Sequence, residues 1–352
     1  MKFLLRKKVF NFEKRIFLIF VMVLAIFVIL NKGQNHNIIT NDSPIEKNIA
    51  YLNAINKIRG EVKWLPYGEG AKEEIRLMPK IQAGAVVNLE SGQVLWSKNL
   101  NEKIAPASLS KLATVMTALD IAESDQTIDI SESAATQIPT NIGLKTTEKL
   151  TLDEAVAASI LTSANDACEA VAQTLGSKIG DGTADFMKLV NLKLTKIGVE
   201  DSYFETSTGL DSKNHYSTVY DLAIIAHEVK VNYSKISTLA SLDYYNLPKN
   251  NNHKLYDLPN WNALLGTYPG VDGLKIGYTE KAGHTTLVTA TRGDTRLIAI
   301  VIGAQSLEDR EIAAATLLNF GFNKYGISEF PINQLNLVKR FNEWKQQLSL
   351  AR

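Results

Sequence analysis

The chain has 352 residues, of which 45% are hydrophobic, enough to bury a full core without disulfide bonds or a structural metal. Its 38 basic and 37 acidic side chains nearly cancel, which argues against nucleic acid as a partner. The single cysteine, Cys168, excludes an intramolecular disulfide, and we expect it to be a small buried thiol on an apolar helix.

The N-terminus carries a basic segment followed by an unbroken apolar run at residues 16–30. This order predicts a membrane segment with the rest of the chain outside the cytoplasm. The run is shorter than the roughly 20 residues of a full span, so a cleaved signal peptide is the alternative to a retained anchor. No small-residue cleavage site follows Leu30, which favours the anchor. We therefore expect residues 1–31 to be a cytoplasmic stub and a single-pass anchor in the cell membrane.

Residues 32–79 are polar and rich in asparagine and lysine, a composition that predicts a linker. A folded domain is expected at 80–325, opening with two apolar runs around a turn at 90–92, the pattern of a β-hairpin. Apolar side chains at helical spacing then predict helices at 108–121, 152–175 and 183–197. Thr151 and Glu154 form a capping box for the second of these helices.

The pattern returns to strands after residue 270, at 273–278, 285–291 and 296–303, followed by a helix at 307–319. Two strands at the front of the domain and three at the back predict an α+β fold. Its antiparallel sheet is built from both chain ends, with a helical subdomain against it.

The tail at 326–352 predicts an amphipathic helix that either packs on its own domain or contacts lipid. Its apolar face consists of Leu337, Phe341, Trp344 and Leu348.

The first of three short motifs is Ser108-Leu109-Ser110-Lys111, at the start of the first predicted helix. A residue and its third successor lie one turn apart on one helix face, so the Lys111 amine reaches the Ser108 hydroxyl. A serine hydroxyl is a weak nucleophile, and a lysine serves as its base when burial and nearby positive charge lower the lysine pKa. Alone, the motif arises easily by chance, and a helix cap with a solvated lysine is its ordinary interpretation.

The second motif, Ser163-Ala164-Asn165, lies within or at the end of the helix predicted at 152–175. A hydroxyl at Ser163 is suited to passing a proton to a leaving amine, and the Asn165 amide to holding a substrate backbone. The third motif, Lys275-Ile276-Gly277, falls on a strand predicted at the sheet edge. Because Gly277 has no side chain, an extended peptide can approach closely and add to that edge as another strand.

Together and in this order, the three motifs resemble the signature set of penicillin-binding proteins and class A β-lactamases. Their flanking residues are similar to those of the D-alanyl-D-alanine carboxypeptidases of the low-molecular-mass penicillin-binding class, serine peptidase family S11. The likeness covers about residues 81–322, and the segments that carry it are 105–111, 163–167, 208–210, 215–218, 221–222 and 270–279. The resemblance implies the penicillin-binding protein/β-lactamase-like transpeptidase fold, and the order of the N-terminal segments places this domain on the extracytoplasmic side of the membrane.

The resemblance also implies a serine-type D-Ala-D-Ala carboxypeptidase that acts on peptidoglycan stem peptides and binds β-lactams. Ser108 would attack the carbonyl between the two D-alanines, and Lys111 would take its proton. Ser163 would relay a proton to the departing D-alanine, and Asn165 would hold the substrate backbone. Lys275 would keep Lys111 neutral and help to hold the terminal carboxylate.

Further roles follow from the same resemblance. The backbone N–H groups of Ser108 and Tyr278 would form the oxyanion hole. Arg310 occupies the position of a family arginine near the carboxylate end, an exposed helix arginine being the alternative. The five histidines lack the spacing of metal ligands, and no glycine-rich loop ends in the G-K-[ST] sequence of a phosphate-binding loop. Neither a metal nor a cofactor is therefore expected.

The chain departs from the family pattern at Ile276, where relatives carry threonine or serine. The missing hydroxyl removes a bond of about 1.5 to 3 kcal/mol to the substrate carboxylate, roughly ten- to a hundredfold in rate. Thr279 is the candidate for partial compensation. An endopeptidase that cuts cross-links uses the same residues, and Ile276 suggests a catalytically weakened wall-binding protein as a further alternative. A β-lactamase is disfavoured because no E-x-x-L-N motif follows the second motif.

Overall fold

A five-stranded antiparallel sheet lies at the centre of the computed structural model, which describes residues 44–76, 78–332 and 334–350. The order of its strands is β2-β1-β9-β8-β7, so both ends of the predicted domain meet in one sheet. These strands are β1 (Ala83–Asn88), β2 (Val94–Lys98), β7 (Val271–Thr279), β8 (Gly283–Arg292) and β9 (Thr295–Ala304). Two small antiparallel pairs lie apart from it: β3 (Thr127–Asp129) with β4 (Lys149–Thr151), and β5 (Tyr244–Leu247) with β6 (Tyr256–Pro259).

Helices cover both faces of the sheet. In chain order they are α1 (Pro44–Lys57), α2 (Lys111–Ile121), α3 (Glu132–Ala135), α4 (Leu152–Leu161), α5 (Asn165–Ile179), α6 (Thr183–Lys196), α7 (Val219–Asn232), α8 (Ser234–Ser241), α9 (Leu307–Asn323) and α10 (Gln334–Leu350). Residues from Lys47 onward form one compact unit.

Strand β9 shows why the central strands are apolar throughout. Its side chains alternate between two cores, with Ile298, Ile300 and Ile302 in the core under helices α2 to α8. Leu297 and Val301 join the second core, beneath α9 and α10. Because successive strand residues point to opposite faces, burial on both faces requires an unbroken apolar run.

The helix predicted at 152–175 is two helices, α4 and α5, separated by a break at 162–164. The predicted capping box is present, with the Thr151 hydroxyl accepting from the Glu154 N–H and the Glu154 carboxylate accepting from the Thr151 N–H. The break itself is centred on Ser163, whose φ of +63° no helix accommodates. Apolar spacing continues across the break, so the sequence pattern alone did not reveal it.

The described part of the predicted linker is folded. Ala54 and Ile58, near the end of α1, pack against Ile179 and Leu189 of α5 and α6. Farther on, parallel bridges join Ala71 to Trp96 of β2 and Tyr67 to Gln93, the residue just before β2. The composition alone predicted a tether because the segment has few apolar residues of its own. The apolar residues against which it packs lie in distant parts of the chain.

The tail helix α10 packs on its own domain, the first of the two alternatives. Leu337 and Trp344 are buried in the core beneath α9, and the Trp344 ring meets the Trp261 ring edge-on at a centroid distance of 5.2 Å. Across residues 44–76, 78–332 and 334–350, no helix is both long and apolar enough to span a bilayer. The anchor predicted at 16–30 lies outside these residues and stays a prediction.

Candidate active site

Ser108 lies on a short 3-10 turn, Ala107–Ser110, that leads directly into α2. The predicted helix therefore begins three residues later than expected, at Lys111, although the one-turn spacing of the motif is kept. The Lys111 Nζ lies 2.8 Å from the Ser108 Oγ. Ala107, just before the nucleophile candidate, has a φ of +50°, a left-handed conformation that costs free energy in a residue other than glycine.

Lys111 is fully buried, and its amine has three polar contacts. Besides the Ser108 Oγ, the Nζ lies 2.7 Å from the Asn165 Oδ1 and 2.5 Å from the Thr208 carbonyl oxygen. Burial lowers the pKa of Lys111 to about 8, against smaller opposing effects of Cys168 and Asp166. A neutral amine has two hydrogens and one lone pair. The charged amine donates to all three oxygens, whereas in the neutral form its two hydrogens can go to the Asn165 Oδ1 and the Thr208 oxygen, which leaves the lone pair for the Ser108 hydroxyl hydrogen.

Asn165 is held in place from behind. Its backbone N–H donates to the Thr140 carbonyl at 2.7 Å, and its Nδ2 donates to the Ile138 carbonyl at 2.8 Å. With Nδ2 occupied, the Oδ1 faces Lys111. Ser163, two residues earlier, is buried in the break between α4 and α5.

The edge strand β7 passes directly in front of the nucleophile turn. A Cβ at Gly277 would lie 2.8 Å from the Ser108 backbone nitrogen and 3.0 Å from the Ala107 Cβ. Real side chains do not tolerate such distances, so only glycine permits this approach. In the described part of the chain β7 pairs with β8 alone, so its other edge, beside Ser108, has no strand partner, as the third motif predicts.

Lys275 lies on the same face of β7 as Gly277 and is almost fully buried. Burial lowers its pKa well below that of a free lysine, and the positive charges of Lys111 and, to a smaller degree, Arg310 act in the same direction. Its Nζ donates to the Ile276 carbonyl at 3.0 Å. The charge of Lys111 therefore disfavours a charge on Lys275, whereas burial is what lowers the pKa of Lys111.

The remaining residues predicted on β7 differ in exposure. Tyr278 is 56% exposed, with its ring 4.5 Å from the ring of His284. The Thr279 hydroxyl donates to Asp211 at 2.8 Å and accepts from the Ala282 N–H at 3.1 Å. Since these bonds hold the turn after β7, the compensation considered for Ile276 finds no support in the position of Thr279.

Arg310 is a buried residue of α9, so the alternative of an exposed helix arginine is wrong. Its guanidinium pairs with the neighbouring Glu311 carboxylate and lies 3.3 Å from the Trp261 carbonyl.

The described contacts thus join Ser108, Lys111 and Asn165 directly, with Gly277 against the same turn. Residues 72–306 match the family model whose description is D-alanyl-D-alanine carboxypeptidase. The chain belongs to peptidase family S11.

Two relatives illustrate this membership. The D-alanyl-D-alanine carboxypeptidase DacF of Bacillus subtilis is 34% identical over 263 residues, covering 73% of this chain and 66% of DacF. DacD of Escherichia coli, of the same description, is 31% identical over 259 residues, covering 69% of this chain and 64% of DacD. The chain thus spans slightly less than two thirds of these curated relatives.

Solved structures confirm the predicted α+β fold of the S11 chain. A Streptomyces DD-transpeptidase aligns with a TM-score of 0.64 at 24% identity, covering 70% of this chain and 99% of that one. Penicillin binding protein 5 from Haemophilus influenzae aligns with a TM-score of 0.64 at 25% identity, covering 72% and 73%.

The role of one part of this S11 site was not predicted, although segments 208–210 and 215–218 carry the family resemblance. The loop at 206–215 passes behind the nucleophile turn and supplies the Thr208 carbonyl that contacts Lys111. A backbone oxygen has no sequence signature. The available signal was Gly209, at which a Cβ would lie 2.2 Å from the Ala107 carbonyl oxygen, a contact that only glycine allows.

Cys168 is the small buried thiol predicted from the sequence. Its Sγ lies 3.1 Å from the Ser207 carbonyl, and burial raises the pKa of the thiol to about 11. The S11 site therefore contains no thiolate nucleophile at this position.

Proposed function

We propose that the protein is a serine-type D-Ala-D-Ala carboxypeptidase that acts on peptidoglycan stem peptides through an acyl-enzyme on Ser108. The observation that carries the proposal is the 2.8 Å contact between the Ser108 Oγ and the buried Lys111 Nζ. An amine with a pKa of about 8 is partly neutral near pH 7, so it can accept the serine proton.

Acylation begins when the Lys111 lone pair takes the Ser108 hydroxyl proton and the Oγ attacks the carbonyl carbon between the two D-alanines. Negative charge then develops on the carbonyl oxygen, between the N–H groups of Ser108 and Tyr278. The Ser163 hydroxyl passes a proton from Lys111 to the departing amine. The C–N bond breaks, free D-alanine leaves, and the peptide remains as an ester on Ser108.

Deacylation returns the enzyme to its starting state. Water gives a proton to Lys111 and attacks the ester carbonyl through the same oxyanion hole. The ester C–O bond breaks, and the Ser108 Oγ regains its proton from Lys111. Each proton taken by the amine is therefore given back within one cycle.

The substrate would lie along the open edge of β7 as an added strand, with Asn165 holding its backbone and Gly277 allowing the close approach. Burial strongly lowers the pKa of Lys275. A substrate carboxylate beside it would raise that pKa and restore its charge, because an opposite charge favours the protonated amine. Arg310 would strengthen the positive field from within α9.

Ile276 favours a second candidate function, a wall-binding protein with weakened catalysis. The side chain stands where the family pattern has a hydroxyl, and Thr279 directs its own hydroxyl to Asp211. We further propose that the segment at 16–30 anchors the protein in the cell membrane, with the catalytic domain on the extracytoplasmic side.

Acylation of the full chain by a fluorescent penicillin, together with D-alanine release from a stem pentapeptide, tests the enzyme. We expect wild-type protein to become labelled and to release D-alanine, while Ser108→Ala does neither. A chain that binds stem peptide but is never labelled would support the wall-binding candidate instead. Release of dimer peptides from cross-linked wall, measured in parallel, separates endopeptidase from carboxypeptidase activity.

A further inference from the structure

Two side chains and the backbone groups on either side of them form a directed chain of hydrogen bonds behind the nucleophile turn. The His215 Nε2 lies 3.2 Å from the Ser110 Oγ, and that hydroxyl donates to the Ala107 carbonyl at 3.1 Å. His215 and Ser110 are both buried. Neither has a role in the reaction described above.

The backbone determines which nitrogen of His215 carries the hydrogen. The Nδ1 lies 3.1 Å from the Glu205 nitrogen and 3.3 Å from the Thr206 nitrogen, and both of these backbone groups can only donate. The Thr206 hydroxyl is a more distant neighbour at 3.4 Å, and its own hydrogen goes to the Leu210 carbonyl. The Nδ1 is therefore an acceptor. Burial lowers the pKa of His215 to about 4, with the charge of Lys111 adding to the effect, so the ring is neutral at pH 7. Its one hydrogen then lies on Nε2 and points to Ser110.

Ser110 continues the chain of hydrogen bonds in the same direction. Its hydroxyl hydrogen goes to the Ala107 carbonyl, which can only accept, and its oxygen accepts from His215. The order is therefore unique: backbone N–H to His215, His215 to Ser110, and Ser110 to the Ala107 oxygen. Gly209 packs against the same oxygen from the 206–215 loop.

The Ala107 carbonyl belongs to the same peptide unit as the Ser108 N–H. A trans peptide is planar, with its C=O and N–H pointing in opposite directions, so a bond that holds the oxygen also aims the hydrogen. The Ser108 nitrogen faces Gly277, where a Cβ would lie at 2.8 Å. This is the space in which the proposed oxyanion would form. The left-handed conformation of Ala107 needs such support, since it is unfavourable in isolation.

We propose that His215 and Ser110 are positioning residues that aim the Ser108 N–H into the oxyanion hole. The inference rests on the proposed function, because an oxyanion hole is needed only if Ser108 is acylated. Outright removal of one donor typically costs about 10²- to 10³-fold in rate. A donor that is misaimed but present should cost less, and we expect a loss of about 10- to 100-fold in the acylation rate.

The test compares variants of the full chain. Ser110→Ala and His215→Phe break the chain of bonds, whereas Ser110→Thr keeps the hydroxyl and His215→Gln keeps an amide donor near the Nε2 position. Ser97→Ala is the matched control: Ser97 is also buried and also donates to a backbone carbonyl, that of Glu69, but it lies on β2 at the opposite edge of the sheet.

Two readouts distinguish positioning from general destabilisation. The first is the acylation rate constant with fluorescent penicillin at saturation, measured beside the melting temperature. The second is the infrared carbonyl frequency of the acyl-enzyme ester, which rises when hydrogen bonds to its oxygen weaken. We expect both to change in the two chain-breaking variants, to recover in Ser110→Thr and His215→Gln, and to stay at wild-type values in Ser97→Ala.

The proposal would be overturned if Ser110→Ala had the same acylation rate and the same carbonyl frequency as Ser97→Ala. A separate measurement does not depend on activity: nitrogen NMR of His215 should show hydrogen on Nε2 and none on Nδ1 near pH 7. The opposite tautomer would refute the chain of bonds even if wild-type protein were never acylated. Failure of wild-type labelling with the expected tautomer would instead count against the proposed function.

Discussion

Gly277→Ala should strongly reduce the proposed release of D-alanine while leaving the protein folded. The added Cβ would lie 2.8 Å from the Ser108 nitrogen, 2.8 Å from the Thr285 Oγ1 and 3.0 Å from the Ala107 Cβ. Ordinary contact begins near 3.4 Å, so β7 or the nucleophile turn must move by roughly half an ångström or more. Overpacking of this kind costs about 1 to 3 kcal/mol of stability. The methyl group also enters the proposed oxyanion space, and a displacement approaching 1 Å costs about 10²-fold in rate.

D-alanine release and thermal melting, measured on the same preparation, check this prediction. Gly293→Ala is the matched control, because it makes the same substitution in the turn after β8, where nothing lies within 4 Å of the new Cβ. Its φ of +58° makes alanine unfavourable by about 1 kcal/mol, so the control loses stability without touching the site. The reasoning would be refuted if Gly277→Ala kept its rate, or if Gly293→Ala lost activity to the same degree.

Three further predictions concern the base, the third motif and the thiol. The rate kcat/KM for D-alanine release should rise with pH through about 8, because the neutral form of Lys111 is the reactive one; a profile flat from pH 6 to 10 would contradict this. Ile276→Thr should raise kcat/KM for the stem peptide roughly ten- to a hundredfold, by restoring a bond of about 1.5 to 3 kcal/mol to the carboxylate, and unchanged kinetics would show that the hydroxyl is not needed. Cys168 should resist a chromogenic disulfide reagent at pH 8 until the protein unfolds, since the thiol is buried with a pKa near 11, and rapid reaction of native protein would disprove its burial.

The sheet was predictable from the sequence because its signals are local. Alternating or continuous apolar runs define β1 and β9, and the glycines between the last strands mark their turns. The three motifs were found for a similar reason, since each is a short string of side chains. Their meeting at one place followed from the order of the elements and from the resemblance.

Other parts of the site depend on distant contacts and were not predictable. The sequence left open whether the motif at Ser163 lies within a helix or at its end, and the apolar spacing did not decide between them. The Thr208 carbonyl contacts Lys111 as a backbone atom, which any residue possesses. The segment around α1 has a polar sequence because it contributes only a few apolar side chains, such as Ile58. Most of the cluster in which they pack belongs to α5 and α6.

The two edge strands of the central sheet, β2 and β7, differ in whether another segment covers them, and this difference affects self-association. The segment before β1 covers the outer edge of β2, where Ala71 exchanges hydrogen bonds with Leu95 and Ser97. An uncovered edge invites pairing with a second molecule. A truncated chain starting near residue 80 would therefore expose two unpaired edge strands, β2 and β7, instead of one. Aggregation through these edges would then compete with the binding of peptide at β7.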